Sequence, residues 1–519
     1  MAAPIIIIGA GTAGAVLASR LSADPARKIV LLEAGSEPTD PRIMDPAAWP
    51  LLEGSAIDWG YSTIPQRHTA GRVHTCPRGR VVGGSTAINA MGHMRGHPAD
   101  FDAWAAAGAT GWDAAALAPY FARSETSPFA GEPGYGADGP LSLVQPAAPH
   151  PLTNAHRAAC QNLGLAPIRD HNGGGMAGPT LNTLTLVGGR RQTIADAYLS
   201  PSVRARTNLI LRTDVLVDSV VLNDQFCVTG VAVIADGQRE VVEASAVILA
   251  AGAIGSPSIL MRSGVGPAAE LQALGIKVVR DLPGVGKNLQ DHLLSGGNVY
   301  RARQPVPPTT TQHSESLCYL HAKGQDPAEA PHLVVGIITV PVVSDALRDR
   351  SGLPGIGEGY TLVYGITHPQ SRGTVRLSST APDAPPLIDP AYLSAEADRL
   401  WFREALSAAR RIGHAEAYDS WRAEEVLPAP ADLQDQAATD AFIARAAITH
   451  HHPVGTCRMG TDIDAVVDPG LAVRGTRHLF VVDGAVMPSL TTGPVNAAIV
   501  AIAERASDVL DLRVEAAAS

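Results

Sequence analysis

Four β-branched residues, Ile5 to Ile8, lead directly into the glycine-rich segment Gly9-Ala10-Gly11-Thr12-Ala13-Gly14. An uninterrupted apolar run of this length is typical of a parallel strand buried on both faces. Residues 15–21 then predict a helix, and Ile29 to Leu32 predict a second buried strand. A strand, a glycine turn, a helix and a strand within about 30 residues form the smallest unit that binds a dinucleotide.

Each glycine of the segment has its own role in such a unit. Gly9 permits the tight turn, Gly11 lets the backbone approach a pyrophosphate, and Gly14 allows the helix to pack closely on the strand. Glycine supplies 51 of the 519 residues, so the spacing alone is weak evidence. The prediction of a dinucleotide site therefore rests on the position of this segment between a predicted strand and a predicted helix.

Glu33 closes the second strand, 19 residues after Gly14. A carboxylate at this place accepts hydrogen bonds from the ribose hydroxyls of an adenosine and repels a 2'-phosphate. The alternative is a solvated residue at a strand end. FAD and NAD both satisfy the pattern, and the residues themselves do not separate them.

Two later segments, Ala246 to Ala250 and Leu479 to Val482, predict further strands of the same sheet, each followed by a helix. Between them the chain alternates apolar and polar residues, as in Thr374 to Leu377, which favours an antiparallel sheet. We therefore predict a mixed α/β (α+β) protein with a Rossmann-like cofactor domain and an antiparallel-sheet substrate-binding domain. The cofactor domain is discontinuous, with residues 1–155, 195–300 and 450–519, and the substrate-binding domain has residues 156–194 and 301–449.

Charge and cysteine content restrict the partners. The 40 basic and 50 acidic residues give a net charge of -10 with no basic block, which argues against nucleic acid. The five cysteines form no CxxC pair, so neither a zinc site nor a disulfide framework is indicated. No stretch reaches the roughly 18 apolar residues that a membrane span needs. We expect a soluble cytoplasmic protein with no metal and no membrane partner.

Several long segments resemble the signatures of the glucose-methanol-choline (GMC) oxidoreductases. Residues 80–91, RVVGGSTAINAM, resemble the first signature, and residues 252–267, which begin GAIGSP and end GVGP, resemble the second. Residues 283–292, 452–456 and 483–488 extend the resemblance over nearly the whole chain. The resemblance implies FAD as the cofactor and a small-molecule alcohol as the substrate.

The resemblance also implies which residues bind FAD. Thr12, Ala13, Glu33 and Ala34 would contact the ADP half, with Val215 at the adenine. Val82, Asn89 and Met91 would contact the flavin side. The remaining cofactor contacts would be Trp59, Asp483, Gly484 and Val495. Ile88 matches the position at which some members attach FAD to a histidine; because isoleucine has no nucleophilic atom, we expect noncovalent FAD.

Four segments outside the general signatures resemble one group within the family. They are Glu37-Pro38-Thr39-Asp40-Pro41, residues 93–98, residues 312–316 and residues 449–453. Members of this group oxidise the 4-hydroxymethyl group of pyridoxine and reduce molecular oxygen to hydrogen peroxide. The resemblance implies the same reaction here.

A histidine triplet, His450 to His452, precedes Pro453. Alcohol oxidation needs a base, and imidazole, with a reference pKa of about 6.5, suits that task. We predict that His452 is the base. Proline favours an extended residue before it, so His450 and His452 would project to one side and share the substrate, with His450 orienting it. The alternatives are a surface cluster or a metal site, although no nearby Cys or Asp completes a ligand set.

The segment after residue 490 predicts the last helix. Thr491-Thr492-Gly493 would supply its cap, Pro494 its first turn, and Val495 to Leu510 its body. The positive end of this helix could stabilise negative charge on the reduced cofactor. By resemblance Asn496 is the second catalytic residue, although Asn is also common at helix starts; Pro494 replaces the usual Asn and would shape the cavity.

Other assignments are less constrained. His313 and Glu315 could line the substrate channel or lie in a solvated loop. Three other functions also fit the motifs: an alcohol dehydrogenase that passes electrons to a quinone or a protein, a hydroxynitrile lyase that keeps FAD without net redox chemistry, and a flavin-binding protein without turnover. An intact His452 and Asn496 argue against the last.

Overall fold

The computed structural model describes the backbone of residues 3–518 and the side chains of residues 3–510. Its α-helices, α1 to α11 in chain order, are Thr12–Leu21, Pro98–Ala106, Ala114–Ser124, Pro151–Asn162, Ile194–Tyr198, Pro201–Arg204, Gly252–Arg262, Ala268–Ala273, Glu396–Gly413, Gln436–Ala446 and Asn496–Ala518. Short 3-10 helices span Pro41–Met44, Pro46–Leu51, Arg67–Thr69, Gly84–Ala87, Asp345–Leu347, Glu416–Tyr418, Pro430–Leu433 and Gly484–Val486.

A five-stranded parallel sheet carries the glycine loop. Its strands, in spatial order, are Leu209–Arg212, Ile29–Leu32, Ile5–Ile8, Ala246–Leu249 and Leu479–Val481. The strand Ile5–Ile8 is central, and all four of its residues are buried, as expected for a parallel strand that is covered on both faces. The predicted strands at residues 5, 29, 246 and 479 are thereby confirmed as neighbours in one sheet.

A second sheet of eight strands is antiparallel. Its main path runs Arg422–Leu427, Val299–Ala302, Gly359–Ile366, Leu333–Ile338, Ser316–Leu320 and Gly178–Leu181, and Leu293–Ser295 and Ala447–Thr449 extend it from Gly359–Ile366. The predicted antiparallel architecture is confirmed. The strand Leu293–Ser295 and the first half of Val299–Ala302 precede the domain boundary predicted at residue 300, which therefore falls inside the sheet.

The remaining strands form smaller sheets. They pair Val215–Leu222, Val228–Ala235 and Gln238–Glu243; Glu125–Thr126, Leu141–Val144, Leu184–Val187 and Arg190–Arg191; Val265–Gly266 and Arg280–Asp281; Thr374–Arg376 and Leu387–Asp389; and Tyr61–Ser62 and Thr75–Cys76. The predicted strand at residue 374 thus exists, but it lies outside the large antiparallel sheet. Within residues 3–518, no helix has both the length and the apolar character to cross a membrane.

Candidate functional site

A cavity of about 890 Å³ opens between the two large sheets. Ile8 and Leu32, at the carboxyl ends of parallel strands, line one part, and Leu317 and Val363 of the antiparallel sheet line another. Ligands of open α/β sheets bind at the carboxyl ends of their strands. The predicted residues that line this cavity are Gly9, Gly11, Thr12, Ala13, Glu33, Ala34, Trp59, Asn89, Met91, Val215, His450, His452, Asp483, Gly484, Pro494, Val495 and Asn496.

Two predicted cofactor residues are not among the lining residues. Gly14 lies behind the glycine loop, where a Cβ would overlap the carbonyl oxygen of Gly9. Its role is therefore the close packing that the motif predicts. Val82 is fully buried, and its backbone N–H donates to the carbonyl of Ser36. Val82 does not line the cavity, and its side chain belongs to the hydrophobic core, so its predicted place on the flavin side of the cofactor stays a prediction.

Of Gly9, Gly11 and Gly14 in the glycine loop, Gly11 is the one that leaves room for a ligand. Gly9 has a φ of +100°, and a Cβ there would lie 2.6 Å from the carbonyl oxygen of Ala250. At Gly11 the nearest heavy atom to a Cβ would be the Cα of Gly84, 3.7 Å away. The space beside Gly11 therefore faces the cavity, at the start of α1, as a bound pyrophosphate requires.

Glu33 is buried at the end of its strand and faces the same cavity. Its carboxylate accepts a 2.8 Å hydrogen bond from the N–H of Ala10 and a 2.9 Å bond from the N–H of Gly35. Burial raises the pKa of Glu33 to about 7, and these backbone bonds partly oppose the shift. Each carboxylate oxygen still has a lone pair for a ribose hydroxyl. The solvated alternative for Glu33 is excluded by its burial.

Asp483 fixes two helix starts beside the cavity. Its carboxylate accepts from the N–H of Gly252 at 2.8 Å, from the N–H of Ala485 at 2.7 Å and from Ser256 Oγ at 2.5 Å. Burial raises the pKa of this carboxyl. The glycine loop, the open side of Gly11, the Glu33 carboxylate and the cavity volume together fit a dinucleotide that contains ADP.

The histidine triplet is held by the segment that ends at His292. The carboxylate of Asp291 accepts from the N–H of His452 at 2.7 Å and from Thr449 Oγ1 at 2.6 Å, and it also accepts from the hydroxyl of Tyr392. The N–H of His450 donates to the carbonyl of His292 at 2.9 Å. The turn is therefore fixed from both ends by one short segment.

The imidazoles of His450 and His452 are neighbours, but the backbone that connects them differs from the predicted conformation. The ring centroids of His450 and His452 lie 4.3 Å apart. His451 has a φ of +66°, so the segment turns at this residue and is not extended. His451 also lines the cavity; its Nε2 lies 3.4 Å from a carboxylate oxygen of Glu53, and its carbonyl accepts from Arg78.

Both imidazoles are neutral at neutral pH. Burial, followed by the neighbouring imidazoles, holds the pKa of His450 and of His452 well below the ordinary value for histidine. A neutral imidazole has a ring nitrogen with a free lone pair, which can accept a proton from a hydroxyl group.

The last helix begins two residues later than predicted. It starts at Asn496, so Pro494 precedes its first turn instead of belonging to it. The N–H of Thr492 is held by the carboxylate of Asp100 at 2.6 Å, which fixes the loop before Pro494. Asn496 Oδ1 accepts a 2.7 Å hydrogen bond from Thr12 Oγ1 at the start of α1. This contact favours a place for Asn496 beside the cofactor.

The two less constrained residues differ. His313 lines the cavity, with one ring nitrogen 3.1 Å from the carbonyl oxygen of Ala47. Glu315 does not line the cavity and is not solvated; it is buried, and its carboxylate accepts from the N–H of His150 at 2.7 Å and from Thr153 Oγ1 at 3.1 Å. Glu315 is therefore a structural residue that binds the N-terminal end of α4.

Sequence reasoning assigned no role to Asp291 or His292, although both lie in a segment that resembles the family. His292 completes a group of three imidazoles, with His450 and His452, that offer ring nitrogens within 4.8 Å of one another. In the sequence, the adjacent carboxylate of Asp291 and imidazole of His292 were the feature that could have indicated a functional role. Their partners lie some 160 residues away, which no local pattern reveals.

Two family models cover most of the chain. Both are described as GMC oxidoreductase, and they match residues 3–294 and residues 369–503. The chain is 45% identical to pyridoxine 4-oxidase of Microbacterium luteolum, over 96% of this chain and 98% of that protein. It is 36% identical to the mitochondrial choline dehydrogenase of Homo sapiens, over 97% of this chain and 89% of the human protein.

A solved structure is similar throughout. The crystal structure of pyridoxine 4-oxidase from Mesorbium loti superposes with a TM-score of 0.93 and 46% sequence identity, and covers 98% of both chains. A match that covers 98% of this chain includes both large sheets.

Proposed function

This chain belongs to the GMC oxidoreductase family and is an FAD-dependent oxidoreductase that acts on CH–OH donors; we propose that its substrate is pyridoxine, oxidised at the 4-hydroxymethyl group to pyridoxal with O₂ reduced to H₂O₂. The observation that carries the proposal is the pair of neutral imidazoles, His450 and His452, facing a cavity with an apolar wall. Two relatives named for this oxidation match nearly the full chain.

FAD, when bound, supplies the hydride acceptor and passes the electrons on to oxygen. Glu33 would hold its ribose, and the backbone beside Gly11 its pyrophosphate. The N-terminus of α11 at Asn496 faces the cavity and would favour negative charge there.

His452 would take the proton from the hydroxyl oxygen of the alcohol as a hydride leaves the carbon that bears this hydroxyl. The lowered pKa of His452 keeps its ring unprotonated and ready for this step. His450 lies against His452 and would donate to or accept from a second polar group of the substrate, which orients the ring. Asp291 holds the backbone of His452 and thereby its distance from the substrate.

The wall beside the histidines suits a flat aromatic ring. Leu294 and Ile448 lie opposite each other in adjacent strands that lead to His292 and His450. They belong to an apolar cluster in which the residues that line the cavity are Met94, Leu294, Leu317, Ile338, Val363 and Ile448. Uncharged aliphatic side chains bury a pyridine ring at little cost, whereas a quaternary ammonium is recognised by carboxylates or aromatic faces. The wall therefore favours pyridoxine over choline.

An anaerobic absorbance titration of the flavin-loaded protein tests the proposal, with pyridoxine, choline and benzyl alcohol as substrates. We expect pyridoxine to bleach the flavin band and choline to leave it unchanged. Admission of air should restore the band and form one hydrogen peroxide per pyridoxal.

The other outcomes identify the competing functions. Bleaching that air does not reverse, but a quinone does, would make the protein an alcohol dehydrogenase. Release of cyanide from a cyanohydrin without any bleaching would make it a lyase. Bleaching by choline in preference to pyridoxine would overturn the assigned substrate.

A further inference from the structure

A chain of hydrogen bonds connects the proposed base to the backbone of the antiparallel sheet. His292 Nε2 lies 2.8 Å from the carbonyl oxygen of Thr367, just beyond the strand Gly359–Ile366. His292 Nδ1 lies 2.9 Å from Nδ1 of His452. The two imidazole planes are nearly perpendicular, with an interplanar angle of 84°.

The hydrogen-bond donors in this series follow from which of its atoms can carry a proton. A carbonyl oxygen only accepts, so the proton of His292 is on Nε2. His292 is fully surrounded by protein, and burial lowers its pKa to about 4, so the ring is neutral and its Nδ1 has no proton. The 2.9 Å contact then requires a proton on Nδ1 of His452, because two bare nitrogens would repel each other.

A neutral His452 with its proton on Nδ1 has its lone pair on Nε2. We propose that His292 is a positioning residue that fixes this tautomer, so that Nε2 of His452 is the atom that accepts the substrate hydroxyl proton. The proposal rests on the assigned role of His452 as base. Isolated imidazole carries its proton on either nitrogen, and the neighbouring hydrogen bond decides which.

The same three imidazoles offer an alternative that excludes this one. A metal ion held by His292, His450 and His452 would need the lone pair of His292 Nδ1, which the proposed hydrogen bond already occupies. The metal content of the purified enzyme therefore distinguishes the two arrangements.

Two substitutions of His292 separate hydrogen bonding from packing. His292→Asn keeps an acceptor oxygen close to the place of Nδ1, whereas His292→Leu keeps the apolar bulk and removes the acceptor. Each variant would be purified with FAD, its flavin content and melting temperature measured, and its reduction by pyridoxine followed by anaerobic stopped flow.

We expect the Leu variant to be reduced about tenfold to a hundredfold more slowly, with an unchanged dissociation constant for pyridoxine. We expect the Asn variant to stay within about fivefold of the parent. Proton removal should then limit the rate in the Leu variant, so its solvent deuterium isotope effect should exceed that of the parent. A merely structural role would instead lower flavin content and pyridoxine affinity in both variants.

Nitrogen-15 NMR of histidine-labelled enzyme supplies a readout that does not depend on activity. In the parent and the Asn variant the imidazole of His452 should show a protonated Nδ1 and a bare Nε2, and in the Leu variant this signal of His452 should be absent. An unchanged reduction rate in the Leu variant, an unchanged NMR signal, or one bound metal ion per chain that chelation removes with loss of activity would each overturn the proposal. If pyridoxine fails to reduce the parent enzyme, the substrate assignment fails, and the NMR comparison still decides the role of His292.

Discussion

Thr12 Oγ1 donates a 2.7 Å hydrogen bond to Asn496 Oδ1 and thereby joins the first turn of α1 to the first turn of α11. The two helices pack along each other, and Arg20 of α1 also pairs with the buried Glu504 of α11 at 2.7 Å. Both helix N-termini consequently face one cavity, where their partial positive charges favour an anionic cofactor.

This contact yields a prediction about Asn496. Because its carbonyl is bound to Thr12 and not to a histidine, Asn496→Ala should weaken FAD binding by roughly tenfold while the flavin-loaded variant keeps its reduction rate within about tenfold. FAD titration and stopped-flow reduction would measure the two effects. Thr12→Ser, which keeps the hydroxyl, is the matched control. A reduction rate that falls by three orders of magnitude would restore Asn496 as a catalytic residue.

The glycine loop predicts opposite effects for two similar substitutions. Gly14→Ala should prevent normal folding, because its Cβ would overlap the carbonyl oxygen of Gly9. Gly11→Ala should leave the melting temperature of the flavin-free protein nearly unchanged, because the nearest heavy atom is 3.7 Å away. The new methyl group should nevertheless weaken FAD binding by an order of magnitude or more, since it fills the space of the pyrophosphate. Equal FAD affinity in Gly11→Ala and the parent would contradict this placement.

Local sequence patterns predict parts of this fold, whereas contacts between distant residues have no such pattern. The strands around Ile5 and Ile29 and the glycine loop between them were predicted correctly because their pattern lies within some 30 neighbouring residues. The prediction that His452 is the base came from a local motif. In contrast, the role of Asp291 depends on a turn 161 residues away, and the local sequence did not predict the left-handed backbone of His451 in that turn.

Burial of Glu33 makes the stability of the flavin-free protein depend on pH. Its pKa is about 7 in the folded state and about 4.5 in the unfolded state. Between these two pKa values the folded protein binds more protons than the unfolded protein, so the free energy of unfolding falls as the pH rises. The stabilisation from the protonated Glu33 is fully lost above pH 7. We expect Glu33 to contribute about 2–3 kcal/mol to the difference in stability between pH 4.5 and pH 8.

Urea unfolding of the flavin-free parent and of Glu33→Gln at both pH values measures this contribution. The pH-dependent difference is the test, because the glutamine amide leaves one backbone N–H of Ala10 or Gly35 unpaired and lowers stability at every pH. An identical pH dependence in both proteins would show that Glu33 is ionised throughout.

Ile88 bears on how FAD is attached. It lines the cavity at the position where some family members have a histidine linked to FAD, and its side chain has no nucleophilic atom. Precipitation of the enzyme with acid should therefore release all of the yellow colour into the supernatant, with the spectrum of free FAD. Flavin absorbance in the washed pellet would reveal a covalent link to another residue.

Replacement of His452 provides the direct test of the base. His452→Ala should keep FAD, because the residues that would hold the cofactor are unchanged, and should lose about 10²- to 10⁴-fold in the rate of reduction by pyridoxine. His451→Asn is the matched control: asparagine tolerates the φ of +66° at this position, and the side chain of His451 lies 3.4 Å from the carboxylate of Glu53. Its rate should stay within a few fold of the parent. Comparable losses in both variants would assign the effect to the turn, and a near-normal rate in His452→Ala would remove His452 as the base.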